Sequence, residues 1–108
     1  MALHEMNYTF QVDGEINTIP KDWSHTGVVG SGDMEILMKY ADLSGAAEVR
    51  IITPVIGFDN VWEKVLDKFV QETKIGNVKI EINDNNSTPF IVAMRLKQAL
   101  IEAKEGMK

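Results

Sequence analysis

The chain has 108 residues, of which 44% are hydrophobic and 25% are charged, a balance typical of a globular domain rather than of a disordered chain. Its formal net charge of −5 argues against a nucleic-acid-binding protein, because such binding requires clustered Lys and Arg. It has no cysteine, which excludes disulfides, thiolate metal ligands and a cysteine nucleophile. We expect one domain over residues 1–108, with residues 1–6 as a candidate disordered start, and any thiol chemistry to depend on a cofactor.

Apolar segments also bear on the compartment. No apolar run reaches the length of a membrane span, and the N-terminus lacks the apolar core of a signal peptide. We therefore expect a cytoplasmic protein that does not insert directly into a membrane.

The first half of the chain is predicted to form strands. Apolar and polar residues alternate over 7–12, which is the period of a half-buried strand. Residues 26–39 have apolar stretches on both sides of a Gly-Ser-Gly-Asp motif at 30–33, which predicts a hairpin turning at this motif. A further strand is predicted over 48–53, and Pro54 would end its pairing.

A helix is predicted next, over 60–73, because apolar residues recur there at helical spacing. Asn60 and Glu63 have the spacing of a capping box at its start. Gly76 is a plausible stop signal.

The end of the chain adds one strand and one helix. Alternation predicts the strand over 78–83, and residues 89–105 predict a helix with one apolar face. The order β-β-β-β-α-β-α indicates an α+β fold, with two helices packed on one face of a mixed sheet. The strand–helix–strand unit within 48–83 should cross over in the right-handed sense.

Most candidate sites have an ordinary explanation. His4 and His25 lack metal-ligand spacing and are predicted to be solvated surface residues. The run Asn-Asp-Asn-Asn at 83–86 lacks the ligand pattern of a calcium loop and is predicted to be a solvated turn. Ser31 is not in a Gly-x-Ser-x-Gly elbow, and a strand rather than a helix is predicted after it, so we reject a hydrolase. Residues 27–32 lack the Gly-Lys-Ser/Thr of a phosphate-binding loop.

The motif at 30–33 has two interpretations. The simpler one is a tight turn, because glycines adopt positive φ and Ser and Asp tolerate solvent. The other is an attachment point. Gly30 and Gly32 carry no side chain that would block an approaching transferase, and a hairpin tip would present the hydroxyl of Ser31 outward.

A family resemblance supports the second interpretation. Residues 27–37, GVVGSGDMEIL, closely resemble the signature of the malonate decarboxylase acyl carrier subunit, also called the delta subunit. A weaker resemblance continues through 48–55 and 80–84 to Thr88-Pro89, and it covers residues 27–102 in all. The chain departs from the family in a longer N-terminal lead and in the loop 83–89, which bears on partner docking rather than on attachment.

The resemblance implies a covalent cofactor. Ser31 would carry 2'-(5''-phosphoribosyl)-3'-dephospho-CoA through a phosphodiester, with Gly30, Gly32 and Asp33 as the supporting motif. The chain itself would be a non-catalytic carrier of acetyl and malonyl thioesters, without a metal. We expect Asp33 to cap the turn. The domain would differ from helical-bundle acyl carriers.

The resemblance also implies partners. They are the acetyl/malonyl transferase subunit and the decarboxylase subunits of the complex, together with the transferase that attaches the prosthetic group. Acetyl would be exchanged for malonyl on the carrier, and decarboxylation of the malonyl thioester would regenerate the acetyl-carrier. Tethering would raise the effective concentration of the acyl group at each partner.

Two alternatives remain open at this point. The acyl carrier (gamma) subunit of citrate or citramalate lyase also has a Ser-Gly-Asp attachment motif and a similar group, although the flanking Gly-Val-Val-Gly and Met-Glu-Ile-Leu favour malonate decarboxylase. The other alternative is an unmodified interaction domain in which residues 30–33 are only a turn. The mass of the protein distinguishes a carrier from an unmodified domain.

Overall fold

The computed structural model describes residues 3–12, 14–18, 34–85, 87 and 89–105, without the side chains of residues 89, 99 and 102–105. Residues 19–33 lie outside the described part, and with them the first arm of the predicted hairpin. The described elements, in chain order, are β1 His4–Phe10, β2 Met34–Tyr40, β3 Ala47–Thr53, α1 Asp59–Thr73, β4 Val78–Asp84 and α2 Pro89–Glu105.

The four described strands form one mixed sheet in the order β1-β3-β4-β2. The central strands β3 and β4 are parallel, and α1 connects them, as parallel neighbours require a crossover. The edge strands β1 and β2 are antiparallel to β3 and β4, respectively. This architecture confirms the predicted α+β fold with a mixed sheet and shows that the domain is not a helical bundle.

The core lies between one face of the sheet and the two helices. α1 packs on the β1 side, α2 packs on the β2 side, and the two helices contact each other. Each fully buried aliphatic or aromatic side chain there contributes about 1.5–3 kcal/mol to folding. The buried residues alternate along the strands and recur at helical spacing along the helices; they include Ile36, Met38, Val49, Ile51, Ile80, Ile82, Trp62, Leu66, Phe69, Val92, Leu96 and Leu100.

The opposite face of the sheet is polar. Arg50 on β3 donates to Glu5 on β1, with 2.9 Å between Arg50 Nη2 and Glu5 Oε1. This hydrogen bond from Arg50, with a second from Asn7, lowers the pKa of the Glu5 carboxyl below its ordinary value. A sheet with one apolar and one solvated face is expected where helices cover a single side.

The start of α1 corrects one prediction. The capping box of Asn60 and Glu63 is wrong, because the helix begins at Asp59 and its N-cap position is Phe58, which makes no side-chain capping bond. Asn60 therefore lies inside the first turn. The first helical hydrogen bond runs from the Trp62 N–H to the Phe58 carbonyl, at 2.8 Å.

The residue that stops α1 is not the one that the sequence predicted. The last helical residue is Thr73, and the C-cap Lys74 adopts the left-handed conformation with φ 58° while its N–H donates to the Val70 carbonyl. Gly76 has a different role from the stop signal we predicted. A Cβ at Gly76 would collide with the backbone carbonyl of Gly45, so glycine permits the close approach of these two loops.

Strand β1 begins at His4, earlier than the sequence predicted, because its ladder with β3 continues until His4 lies opposite Thr53. The predicted strands over 48–53 and 78–83 each extend by one residue, to Ala47 and Asp84, respectively. The predicted helix over 89–105 has the observed bounds of α2.

Candidate attachment site

The motif residues Gly30, Ser31, Gly32 and Asp33 lie outside the described residues, and the structure describes the strand that follows them. Met34 is the first residue of β2, is buried, and lies opposite Asp84 of β4. Three peptide units separate Ser31 from Met34, and consecutive Cα atoms are 3.8 Å apart, so the Cα atom of Ser31 is within about 11 Å of that of Met34. Covalent connectivity therefore ties Ser31 to one end of β2.

That end of β2 belongs to one edge of the sheet, which we call the carboxyl edge. The parallel strands β3 and β4 both end there, at Thr53 and Asp84. The antiparallel strands β1 and β2 both begin there, since His4 pairs with Thr53 and Met34 with Asp84. In α/β sheets, the carboxyl ends of parallel strands are where functional loops converge.

A buried polar cluster organises the carboxyl edge. Asp84 is only 6% exposed. Its carboxylate accepts the Thr53 hydroxyl at 2.8 Å and the Ser87 backbone N–H at 2.9 Å. The Thr53 Oγ1 in turn accepts the Val55 N–H at 3.1 Å. The cluster thus links the two loops that leave β3 and β4, beside the residue at which the Ser31 segment enters the sheet.

This cluster corrects the prediction that residues 83–86 form a solvated turn, because Asp84 belongs to β4 and is buried. Sequence reasoning missed it, although the alternation of Val78, Ile80 and Ile82 continued by two residues points Asp84 inward. Ser87 Oγ is buried at the same place and has no hydrogen-bond partner among the described residues. The carboxyl edge therefore combines a hydrogen-bonded carboxylate with a buried hydroxyl group.

The β1 side of the same edge carries a second polar contact. His4 Nε2 lies 3.1 Å from Asp59 Oδ2, at the first residue of α1. The Tyr8 hydroxyl donates to the Asp59 carbonyl at 3.0 Å. Burial, and then the negative charges of Asp59 and Glu63, raise the pKa of Tyr8 above its ordinary value. His4 therefore pairs with α1, while His25 lies outside the described residues.

The polar groups at the carboxyl edge hold loops and helix starts in place. Among the described residues, no group of three or more His, Cys, Asp or Glu side chains could hold a metal ion. This geometry supports the anchoring of the segment that precedes Met34 at the carboxyl edge.

Comparison with known proteins identifies the family. The sequence model of the malonate decarboxylase delta subunit (MdcD) matches residues 21–103, a span that includes Ser31. The chain is also similar to the malonate decarboxylase acyl carrier protein of Malonomonas rubra, with 54% identity over 105 residues, 96% of this chain and 92% of that protein. The chain belongs to the malonate decarboxylase acyl carrier family.

A further relative supports this assignment, and a solved structure has the same fold. The malonate decarboxylase acyl carrier protein of Stenotrophomonas maltophilia is 39% identical over 98 residues, 91% of this chain and 92% of that protein. A chain in the crystal structure of a Pseudomonas malonate decarboxylase hetero-tetramer in complex with malonate has the same fold. Its TM-score is 0.73 at 24% identity, covering 93% of this chain and 98% of that chain. The malonate decarboxylase acyl carrier family thus includes this mixed-sheet fold.

In the part of the chain that the structure describes, neither helix has the length and apolarity to span a bilayer.

Proposed function

We propose that the chain is the acyl carrier subunit of a cytoplasmic malonate decarboxylase complex, and that Ser31 carries the phosphoribosyl dephospho-CoA group through a phosphodiester. The observation that carries the proposal is the family match over residues 21–103, within which the signature at 27–37 contains Ser31. The relatives reported above are all malonate decarboxylase proteins, which supports this complex over the citrate lyase alternative.

The residues present fit the prosthetic group. Ser31 offers a hydroxyl group between two glycines, and Met34, three residues later, is buried in the sheet. When bound, the group supplies a terminal thiol that carries acetyl and malonyl as thioesters. Because the chain has no cysteine, no thiol of its own competes for the acyl group.

In this proposal, the chain anchors the segment that carries Ser31 and presents the attached group to partner subunits. The β2–β4 ladder begins at the Met34–Asp84 pair, so the segment that carries Ser31 leaves directly from a paired and buried strand. The Asp84 cluster holds the neighbouring loops against this point. Anchoring to a rigid base limits the volume that a tethered acyl group explores, which raises its effective concentration at a docked partner.

Chemistry on the acyl group belongs, in this proposal, to partners. An acetyl/malonyl transferase subunit exchanges the acyl groups, and decarboxylase subunits remove carbon dioxide. A separate transferase attaches the prosthetic group to Ser31. The chain is then a non-catalytic subunit, whose substitutions affect the activity of the whole complex through loading or docking.

The test is the intact mass of the protein purified from its own host. We expect the mass increment of the phosphoribosyl dephospho-CoA group in the wild type and its loss in Ser31→Ala. Ser24→Ala, which removes a hydroxyl seven residues earlier, is the matched control and should retain the increment. After hydroxylamine has cleaved any acyl thioester, a free-thiol assay on the same samples should give one thiol for the wild type and none for Ser31→Ala.

One result would refute the proposal. If the wild-type chain carries no added mass in cells shown to synthesise and transfer the group, the carrier function is wrong and the motif at 30–33 is a turn in an interaction domain. If the mass increment persists in Ser31→Ala, the group is attached to a residue other than Ser31.

A further inference from the structure

The outer face of α2 is apolar although nothing in the described structure covers it. Phe90, Met94 and Ile101 are 70%, 71% and 57% exposed, and Ile91 beside them is 41% exposed. The spacings of four and seven residues place Phe90, Met94 and Ile101 on one side of the helix. The opposite side buries Val92, Leu96 and Leu100 in the core. A helix that is apolar on both sides is typical of a helix buried on both sides.

Basic side chains border the first turns of this face. Between Pro89 and Ile101, α2 has Arg95 and Lys97 and no acidic residue, while Glu102, Lys104 and Glu105 follow in its last turn. Lys97 Nζ lies 3.6 Å from Glu72 Oε2 on α1, and the same Glu72 carboxylate lies 3.8 Å from Lys68. One carboxylate therefore faces two lysines. Around Phe90 and Met94, the apolar face of α2 has a net basic border.

The position of this face connects it with the attachment site. α2 packs on the β2 side of the sheet, and β2 is the strand that follows Ser31. α2 also begins shortly after Asp84, the residue that pairs with Met34. A protein that covers the outer face of α2 therefore borders the carboxyl edge, where β2 begins at Met34.

We propose that the outer face of α2, formed by Phe90, Ile91, Met94 and Ile101, docks into an apolar groove with an acidic rim on another subunit of the complex. The proposal rests on the carrier function proposed above. In helix-in-groove binding, apolar side chains spaced four and seven residues apart insert into the groove. An acidic rim on the groove would complement the charges of Arg95 and Lys97. A second copy of this chain fits this face less well. A two-fold contact would bring Arg95 and Lys97 of one copy near the same two cations of the other, and like charges repel.

The experiment measures binding of the full-length loaded carrier to malonate decarboxylase complex purified without its carrier, by calorimetry. Met94→Glu and Met94→Lys both remove the apolar side chain, and Glu and Lys have similar helix propensities. We expect both to weaken binding, and Met94→Glu to bind about tenfold more weakly than Met94→Lys because it opposes the acidic rim. Thr9→Glu, at an exposed residue of β1 near the opposite end of the sheet, is the control and should bind like the wild type.

Three results would overturn the docking proposal. Wild-type affinity in both Met94 variants would exclude this face, and equal weakening by Glu and Lys would exclude the acidic rim. A wild-type dimer that Met94→Glu dissociates would make a second copy the occupant. Intact mass on the same samples separates the two proposals: a loaded chain with unaffected Met94 variants refutes docking alone, whereas an unloaded wild type that does not bind refutes the carrier function as well.

Discussion

Asp84 shows how the role of a single residue depends on partners that are distant in sequence. Its neighbours are asparagines, so composition alone indicated a solvated turn. In the structure, the Thr53 hydroxyl, 31 residues away, and the Ser87 N–H both donate to its carboxylate. A buried carboxylate needs such donors, because an unsatisfied buried polar group costs free energy. The sequence could not show them, since they depend on which strands pair.

The Thr53–Asp84 contact gives a prediction for stability. Thr53→Val keeps the shape of the side chain and removes both the donor to Asp84 and the acceptor for the Val55 N–H. We expect the free energy of unfolding to fall by about 1–3 kcal/mol, because the buried Asp84 carboxylate loses one of its hydrogen-bond donors and the Val55 N–H loses its acceptor. Urea-induced unfolding of the apo-protein measures the change.

Thr53→Ser is the matched control, since it retains the hydroxyl group and should recover most of the lost stability. Equal destabilisation by Val and Ser would mean that packing of the Thr53 methyl group, rather than the hydrogen bond, stabilises this edge.

At the scale of elements, the sequence predicted the buried faces of helices and strands better than the residues that begin and end them. The period of apolar residues correctly predicted the buried sides of α1 and α2 and the inward residues of β3 and β4, because burial on one side produces that period. For α1, the last residue, Thr73, was predicted correctly, but the capping box at its start and the stop signal at its end were wrong. A backbone turn at Phe58 starts the helix and a left-handed Lys74 ends it, and neither residue type signals these roles.

Asn77 is an element-joining residue that the sequence did not single out. It adopts φ 52°, in the left-handed region that Asn tolerates. Its Oδ1 accepts the backbone N–H groups of Leu43, at 3.1 Å, and Gly45, at 2.8 Å. The side chain thereby holds the β2–β3 turn against the start of β4.

We predict that Asn77→Ala lowers the free energy of unfolding by about 2 kcal/mol, because two backbone donors lose their acceptor and Ala tolerates positive φ poorly. Thermal or urea unfolding measures this loss. Asn77→Asp keeps the acceptor oxygen and should lose less, while Asn60→Ala, at an exposed position in α1, should change stability little. A loss for Asn60→Ala as large as that for Asn77→Ala would contradict a specific role for Asn77.

For the whole molecule, the fold class was predictable but the pairing of strands was not. Alternation tells which side chains point inward, and the order of elements indicates a mixed sheet with helices on one side. It does not tell that β2 pairs with β4 or that β1 pairs with β3. Ser31 was predicted from a family signature, whereas the position of Met34, three residues later, at the carboxyl edge is known only from this pairing. The Thr26–Lys39 hairpin prediction stays untested in its first arm.

The pairing pattern predicts slow folding. Each ladder among the described strands joins segments that are far apart in sequence: β1 with β3, β2 with β4, and β3 with β4 across α1. Loops of this length must close before any ladder stabilises the chain, so we expect the main refolding phase to take milliseconds to seconds. Stopped-flow refolding by tryptophan fluorescence, with the buried Trp62 as a reporter, measures it. Refolding completed within microseconds would contradict this prediction.

The same pairing orders events during synthesis. When the ribosome has made Ser31 and β2, the partner of β2 does not yet exist, because β4 comes after β3 and α1 in the chain. Met34, three residues after Ser31, gains its partner only when β4 has emerged, and α2 follows β4 in the chain. If the proposed function holds, a transferase that requires a paired β2 would act on Ser31 only after β4 has been made, and folding would serve as the checkpoint before loading.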